Sequence, residues 1–316
     1  MQIIINCKCQ IGFTASKIQN RYFPILRELR KNILDKLQET VDLEKFVVAG
    51  FHNFAFCRHD TEIYQKWDWD AFWKNAEMYN ESSRCMIEKW DVNCTEHPQV
   101  CGAALALQRE YEFMAAACMD KFMLKTDRRV TKMMLKGYEQ DKAANAPQPK
   151  YRCLVWACPA HYYTNFTYWT QHCWGVTCVN DMEAMLSYQP ITIGDKEQAL
   201  ADLVRCYEKM MMRSHTNGGY VNLLDECWKM CEKFHTNIVI MYDHVSCKNV
   251  GGLHGLFEDQ ARERGIHLIW IPHDVMDPRT VSRREMREAF SQYMVTVLNE
   301  KPLDPTLLDY EDTLSW

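Results

Sequence analysis

The chain of 316 residues has no Cys-x-x-Cys pair, no Gly-x-Gly-x-x-Gly and no Walker loop. Each absence removes a class of chemistry. Without Cys-x-x-Cys, the spacings of zinc ribbons and bacterial ferredoxins are excluded, so a bound metal would draw its ligands from separate loops. Without the glycine fingerprints, nucleotide binding has no signature. No apolar run approaches the roughly eighteen residues of a transmembrane helix, and the opening Met-Gln-Ile-Ile-Ile-Asn-Cys-Lys turns polar too soon for a secretory signal. The expectation is a soluble, cytoplasmic protein. An excess of positive charge is lacking too: 37 Lys and Arg stand against 42 Asp and Glu, a net charge of -5. No basic field therefore points to nucleic acid or to an anionic membrane as partner.

What is present is apolar residue and sulfur. Hydrophobic residues make up 47% of the chain, enough to bury the core of one large domain or two ordinary ones. The 15 cysteines are odd in number and scattered, unlike a small disulfide scaffold. The expectation is reduced thiols, most of them buried as small hydrophobes and a few available as metal ligands. The sequons at Asn80, Asn93 and Asn165 then carry no glycosylation. Eighteen methionines beside these thiols suit a protein that meets little oxygen, because both side chains are oxidation targets.

Along the chain the texture changes once. Ile18, Tyr22, Ile25, Leu26, Leu29, Ile33, Leu34 and Leu37 recur at helical spacing, which predicts an amphipathic helix to about Val41. A segment with His52, Cys57 and His59 follows, and then helices over Trp67 to about Trp90 and Ala103 to about Gly137. The basic stretch from Lys125 to Lys136 is read as the solvated face of the second. Trp67, Trp69, Trp73 and Tyr79 form an aromatic stripe, read as core or subunit interface. Residues 139–150, polar with two prolines, are the linker candidate. Beyond it, Tyr151–Ala157, Val176–Val179, Asn237–Tyr242 and His267–Ile271 read as strands, with helical patterns near 161–173, 196–212, 219–234, 252–264 and 281–298. Alternation of this kind implies right-handed crossovers and a parallel sheet covered on both faces. The expected organisation is an N-terminal region over 1–66, a helical connecting segment and linker over 67–150, and a Rossmann-like or flavodoxin-like α/β domain over 151–316.

Ligands of open parallel sheets sit beyond the carboxyl ends of the strands. After the first strand comes Cys158-Pro-Ala-His161; after the second, Asn180-Asp-Met-Glu183; after the third, Asp243-His-Val-Ser-Cys-Lys-Asn-Val-Gly-Gly252; after the fourth, Pro272-His-Asp274. Cys158 and Cys247 stand just past strand ends, so one sheet edge can carry both. Cys247 lies on a loop whose Gly251-Gly252 pair is expected to open a helix, where backbone N–H groups favour an anion and a thiolate. Such a thiol is a nucleophile, a metal ligand or a buried inert cysteine, and spacing leaves all three open. His161, His244 and His273 are candidates for general acid or base, or hydrogen-bonded loop histidines. Ser246 and Cys247 lie so near His244 in sequence that proximity alone identifies no pair. Cys227 and Cys231, four apart on a helix, are read as core packing.

These residues resemble a known family. The run from Asn237 through Ser246-Cys247-Lys248 to Gly252, the following helix, and the stretch from Glu263 through Gly265-Ile266-His267, Asp274 and Asp277-Pro278-Arg279 look like the C-terminal domain of the 2-hydroxyacyl-CoA dehydratase and benzoyl-CoA reductase family. Tyr151–Ala157 and Trp174–Met185 resemble its preceding strands, and Asp68 to Ser82 its connecting helix, so the resemblance covers roughly residues 67–300. It implies an iron–sulfur subunit of a heterodimer with a homologous second subunit, holding a 4Fe–4S cluster through cysteines from separate loops. It also implies an ATP-dependent one-electron activator and an acyl-CoA substrate. In that chemistry an electron turns the thioester into a ketyl radical, which expels the 2-hydroxyl and lets the β-proton leave; the reductase branch instead reduces an aromatic ring. Cys247, with Cys158 beside it, would ligate the metal, Gly251 and Gly252 would line the cofactor, and Ser246 and His244 would be catalytic. Residues 1–66 do not match the family's first domain, and Cys7, Cys9 and Cys57 do not stand in its spacing. A shortened member, a fragment and a cluster-free companion subunit are the readings this leaves.

Overall fold

In the computed structural model the described residues are 68–99, 121–163, 165–182, 189–209, 211–275 and 277–309, and Asp68–Leu308 form one compact unit. The helix expected over Ile18–Val41, the start of the one expected from Ala103, and Trp67, Cys7, Cys9, His52, Cys57, His59 and Glu183 lie outside them.

Helix α1 (Trp69–Cys94) starts at Asp68, whose carboxylate accepts from the N–H groups of Asp70 and Ala71 at 3.0 Å, a standard N-cap. Its aromatic stripe is half-buried: Phe72, Trp73 and Tyr79 pack on a cluster of Ala76, Ile191 and Ala199. Helix α2 (Lys121–Ala143) turns Leu124, Asp127, Thr131 and Met134 inward and leaves Lys125, Arg128, Arg129, Lys132 and Lys136 exposed, so the basic stretch is a solvated face. The residues read as a linker comprise the last turn of α2 and an irregular run to Lys150.

Four parallel strands follow: β1 (Tyr151–Trp156), β2 (Val176–Asp181), β3 (Ile238–His244) and β4 (His267–His273), in the order β2-β1-β3-β4. Their near-continuous burial is what a parallel sheet covered on both faces demands. The crossovers are α3 (Phe166–Trp174) between β1 and β2, α4 (Lys196–Lys209) and α5 (Met211–Lys233) between β2 and β3, and the single turn α6 (Lys248–Gly251) with α7 (His254–Arg264) between β3 and β4. Helix α8 (Arg283–Thr296) closes the set. Helix α5 breaks at Gly219 (φ 70°, ψ -171°), where the sequence reading begins a new helix.

Pleat and register sort the aromatic residues into two layers. Tyr242 stands opposite Ile271, so Trp270 must point to the other face. On the Tyr242 face, Phe166 of α3 meets Tyr242 at 6.1 Å and Phe290 of α8 at 5.8 Å. On the Trp270 face, Phe257 of α7 meets Trp270 at 6.2 Å and Trp228 of α5 at 5.8 Å. None of the described cysteines is in a disulfide: Cys85, Cys153, Cys173, Cys178, Cys227 and Cys231 are buried, while Cys94, Cys158, Cys206 and Cys247 are partly exposed. Burial pushes the Cys173 thiol up to about 11, which keeps it protonated and inert.

Three strands run further than the sequence reading placed them. β2 continues to Asp181, β3 to His244 and β4 to His273, because backbone pairing carries on through Asp243↔Pro272 and His244↔His273 after the apolar run has ended. Both histidines are therefore strand residues, held more rigidly than loop residues. The chain passes from β1 to β2 on one side and returns to β3 on the other. The carboxyl ends of β1 and β3 thus flank the topological switch point, where folds of this order place their ligands.

Candidate functional site at the strand ends

At the end of β1, Ala157 adopts φ 65°, a left-handed conformation that costs a non-glycine residue about 1 kcal/mol or more. This turn directs the chain into Cys158-Pro159. The Cys158 thiol is partly exposed, with Sγ 3.9 Å from the Pro159 carbonyl. His161 opens the 3-10 turn His161–Tyr163 that follows. Arg283 donates to the Tyr162 carbonyl at 2.9 Å and the Tyr162 hydroxyl to the Val281 carbonyl at 2.7 Å, tying this turn to the start of α8.

At the end of β3, Cys247 caps the single turn α6 with extended dihedrals (φ -85°, ψ 92°), and its thiol makes no capping bond. Its N–H donates to the His244 carbonyl at 2.9 Å. The glycine pair was expected to open a helix; it closes one instead. Gly252 follows α6, donating to the Lys248 carbonyl at 3.0 Å, and α7 begins only at His254. A Cβ at Gly252 would lie 3.0 Å from that same carbonyl, whereas one at Gly251 would meet only Asp243 Oδ1, at 4.0 Å. The tight turn accounts for Gly252, and a turn of four residues has little dipole to offer Cys247.

Successive strand residues face opposite ways, and Asp243 and His244 follow that rule. Asp243 Oδ2 lies 3.3 Å from His254 Nε2, and the His254 ring stacks on Trp270 at 3.6 Å, on the α7 face. His244 turns to the other face, where its Nδ1 accepts the Ser246 N–H at 3.1 Å and lies 2.9 Å from Ser246 Oγ. A nitrogen that accepts a backbone N–H bears no proton, so the neutral ring carries its proton on Nε2. That atom lies 3.9 Å from Asp274 Oδ2. Asp274 Oδ1 in turn accepts the Asp277 N–H at 2.8 Å. Arg279 clamps Asp277 through Nε (2.8 Å to Oδ1) and a terminal nitrogen (2.6 Å to Oδ2), holding its carboxyl down at about 2.

Beneath this group His273 is fully buried, edge-on to both Tyr242 (5.0 Å) and His244 (5.4 Å). Neither of its ring nitrogens forms a hydrogen bond. Burial first, and the neighbouring His244 second, push its pKa down to about 4, so the ring is neutral at physiological pH.

The strand order brings the loops bearing Cys158 and Cys247 to one edge, and the register sets His244 beside His273. The contact between Ser246 and His244, which adjacency could not establish, exists. Sequence reasoning did not assign Asp274 to His244. Its signal was the Pro272-His273-Asp274 end of β4, and using it required knowing that β3 and β4 are neighbours. Asn180 and Asp181 of β2 are buried within the sheet. Among the described residues no three of Cys, His, Asp and Glu converge as a metal site, and no helix is long and apolar enough to cross a membrane.

Comparison with known proteins adds one finding. The family model described as 2-hydroxyglutaryl-CoA dehydratase, D-component, matches residues 27–294. The match begins well before Trp67, so the likeness reaches into the N-terminal region that was expected to lack it. No curated protein matches the chain.

Proposed function

The chain belongs to the 2-hydroxyglutaryl-CoA dehydratase D-component family, and from that premise we propose that it is the iron–sulfur subunit of a 2-hydroxyacyl-CoA dehydratase. In this reading it works with a homologous partner subunit and an ATP-dependent one-electron activator in the cytoplasm. The observation that carries the reading is the position of two thiols, Cys158 and Cys247, at the β1/β3 switch point of a chain from this family. Thiols are the right donors for a 4Fe–4S cluster, and partial exposure leaves both accessible. Their number falls short, since no third donor joins them among the described residues. The remaining ligands are therefore assigned to residues outside the described ones or to the partner.

When bound, the cluster supplies the single electron that this elimination needs. The chain's own part is proton handling and shape. His244 accepts a proton at Nδ1 and exchanges it with the Ser246 hydroxyl, 2.9 Å away. Gly251 leaves open space beside Asp243 for the approach of the cofactor or substrate.

Anaerobic purification followed by iron and sulfide analysis tests the assignment. The expected result is a coloured protein whose iron is lost in Cys247→Ser and reduced in Cys158→Ser. Together with the partner and activator it should dehydrate a member of a 2-hydroxyacyl-CoA panel. A chain that stays colourless after reconstitution, yet is required for the partner's activity, establishes the second reading instead: a cluster-free companion subunit. Reduction of an aromatic acyl-CoA in place of dehydration would assign the chain to the reductase branch.

A further inference from the structure

Helices α1 and α2 carry opposite charges along their outer side. On α2, Lys125, Arg129, Lys132 and Lys136 are exposed and recur at four, three and four, so they line one stripe about 16 Å long. On α1, Glu77, Glu88 and Asp91 are exposed and recur at eleven and three, again one stripe. None of these seven has an ion-pair partner among the described residues, whereas Arg128, nearer the seam, pairs with Glu81, which Arg84 also approaches. The helices run parallel, because Ser82 meets Asp127, Thr131 meets the Cys85 carbonyl and Gln99 meets Asp141. A residue of α1 is thus level with the one about 46 positions later on α2. About each axis the charged stripe lies roughly a quarter turn from the residues that face the neighbouring helix, in opposite senses. For parallel helices this sets both stripes side by side on one surface, with Glu77 within a turn of the level of Lys125, Glu88 level with the gap between Lys132 and Lys136, and Asp91 level with Lys136.

Such a surface is complementary to itself. A two-fold axis parallel to the helices sets α1 of each copy on α2 of the other at the same level, so each acidic stripe meets a basic one, twice over. Ile87 and Met133, 41% and 50% exposed and level with each other, meet in the same arrangement. A polyanion such as nucleic acid does not suit the basic stripe, because the acidic stripe runs alongside it at about 10 Å. We propose that the α1/α2 face is the contact between two copies of this chain in a symmetric dimer. Helices of 26 and 23 residues offer a face about 35 Å by 20 Å, about 700 Å² per copy, close to the roughly 800 Å² of a stable interface. The contact uses no residue of the strand-end site and needs no cluster, so it is independent of the dehydratase reading.

Analytical ultracentrifugation of the full chain, with a thiol reductant to prevent disulfide links, tests the contact. The expected result is a dimer in about 50 mM salt that dissociates towards about 500 mM, as screening weakens the paired stripes. The triple change Lys125→Glu, Lys132→Glu and Lys136→Glu makes both stripes acidic, and Glu77→Lys, Glu88→Lys and Asp91→Lys makes both basic. Each variant alone should self-associate about a hundredfold more weakly, while an equal mixture of the two should form a mixed dimer, because every like-charge meeting becomes an attraction. Circular dichroism checks that each variant folds. A carbodiimide cross-link between Glu88 of a light-isotope copy and Lys132 or Lys136 of a heavy-isotope copy reads the same contact in the unaltered chain. A monomer at low salt, a dimer that neither charge reversal weakens, or a mixture of the two variants that stays monomeric overturns the proposal.

Discussion

Lys89 Nζ lies 2.6 Å from Asp127 Oδ1 with the two side chains 3% and 2% exposed, a salt bridge between α1 and α2 sealed from water. The Ser82 hydroxyl gives the carboxylate a second donor at 2.5 Å. Removing two ions from water costs several kcal/mol each, and the cost is recovered only while both remain. Asp127→Ala is therefore expected to destabilise the chain by about 3–5 kcal/mol in urea unfolding. The double change Lys89→Met with Asp127→Leu should restore most of that loss. If the double variant is as unstable as the single one, the penalty does not come from a stranded charge.

Arg152, at the amino side of β1, joins the ends of two helices. It donates to the Asn93 carbonyl at 2.6 Å, the Thr95 carbonyl at 2.8 Å and the Phe234 carbonyl at 3.0 Å, satisfying acceptors at the ends of α1 and α5. Arg152→Met should cost about 2–3 kcal/mol. Arg152→Lys should recover less than half of it, because one ammonium cannot span the fork of a guanidinium. Full rescue by lysine in thermal melts would show that only the charge matters.

Asp202 contributes to the response to acid. Its Oδ2 accepts the Thr192 hydroxyl (2.7 Å) and N–H (2.9 Å), and its Oδ1 accepts Gln198 (2.9 Å) and Arg205 (3.1 Å). The bonds from Thr192 lead in holding the carboxyl below its usual range. A carboxyl with a depressed folded pKa contributes stability that is present above about pH 4 and is lost as pH falls through the folded value. Unfolding midpoints measured from pH 6 downward should decline in the unaltered chain and decline less in Asp202→Asn. Equal slopes would remove Asp202 as the cause.

Ser282 and Glu285 form a reciprocal capping box at the start of α8: the serine side chain accepts the Glu285 N–H at 3.2 Å, and the glutamate accepts the Ser282 N–H at 2.7 Å. Ser282→Ala should cost about 1 kcal/mol, and Ser282→Asp should cost less, because an aspartate also caps. Hydrogen exchange should show the loss first in the opening turn of α8. Unchanged protection there would mean that packing of Phe290 and Met294 alone holds the helix.

The elements that proved legible are those whose signal is local. The apolar runs at Tyr151, Val176, Asn237 and His267 were strands because β-branched residues bounded by polar turns suit little else, and Gly219 marked a helix start through its backbone freedom. Strand ends were less legible, since Asp181, His244 and His273 are polar and are paired only because a neighbouring backbone needs their N–H and C=O groups. The glycine pair misled because Gly-Gly suits the end of a turn as well as the start of a helix. Nothing local distinguishes Gly252, held against the Lys248 carbonyl, from a glycine that opens a helix.

The sequence by itself determined the class, an α/β fold with a parallel sheet behind helices, and the places where thiols and histidines leave the strands. Hydrophobic periodicity and turn chemistry are properties of neighbouring residues, so one chain suffices to read them. Only the tertiary structure decided the order β2-β1-β3-β4, and with it the sharing of one edge by the Cys158 and Cys247 loops and the pairing of His244 with Asp274. Those relations join residues up to about ninety positions apart through backbone hydrogen bonds that any side chain permits. No residue type announces them, and they come into being only when the strands pair.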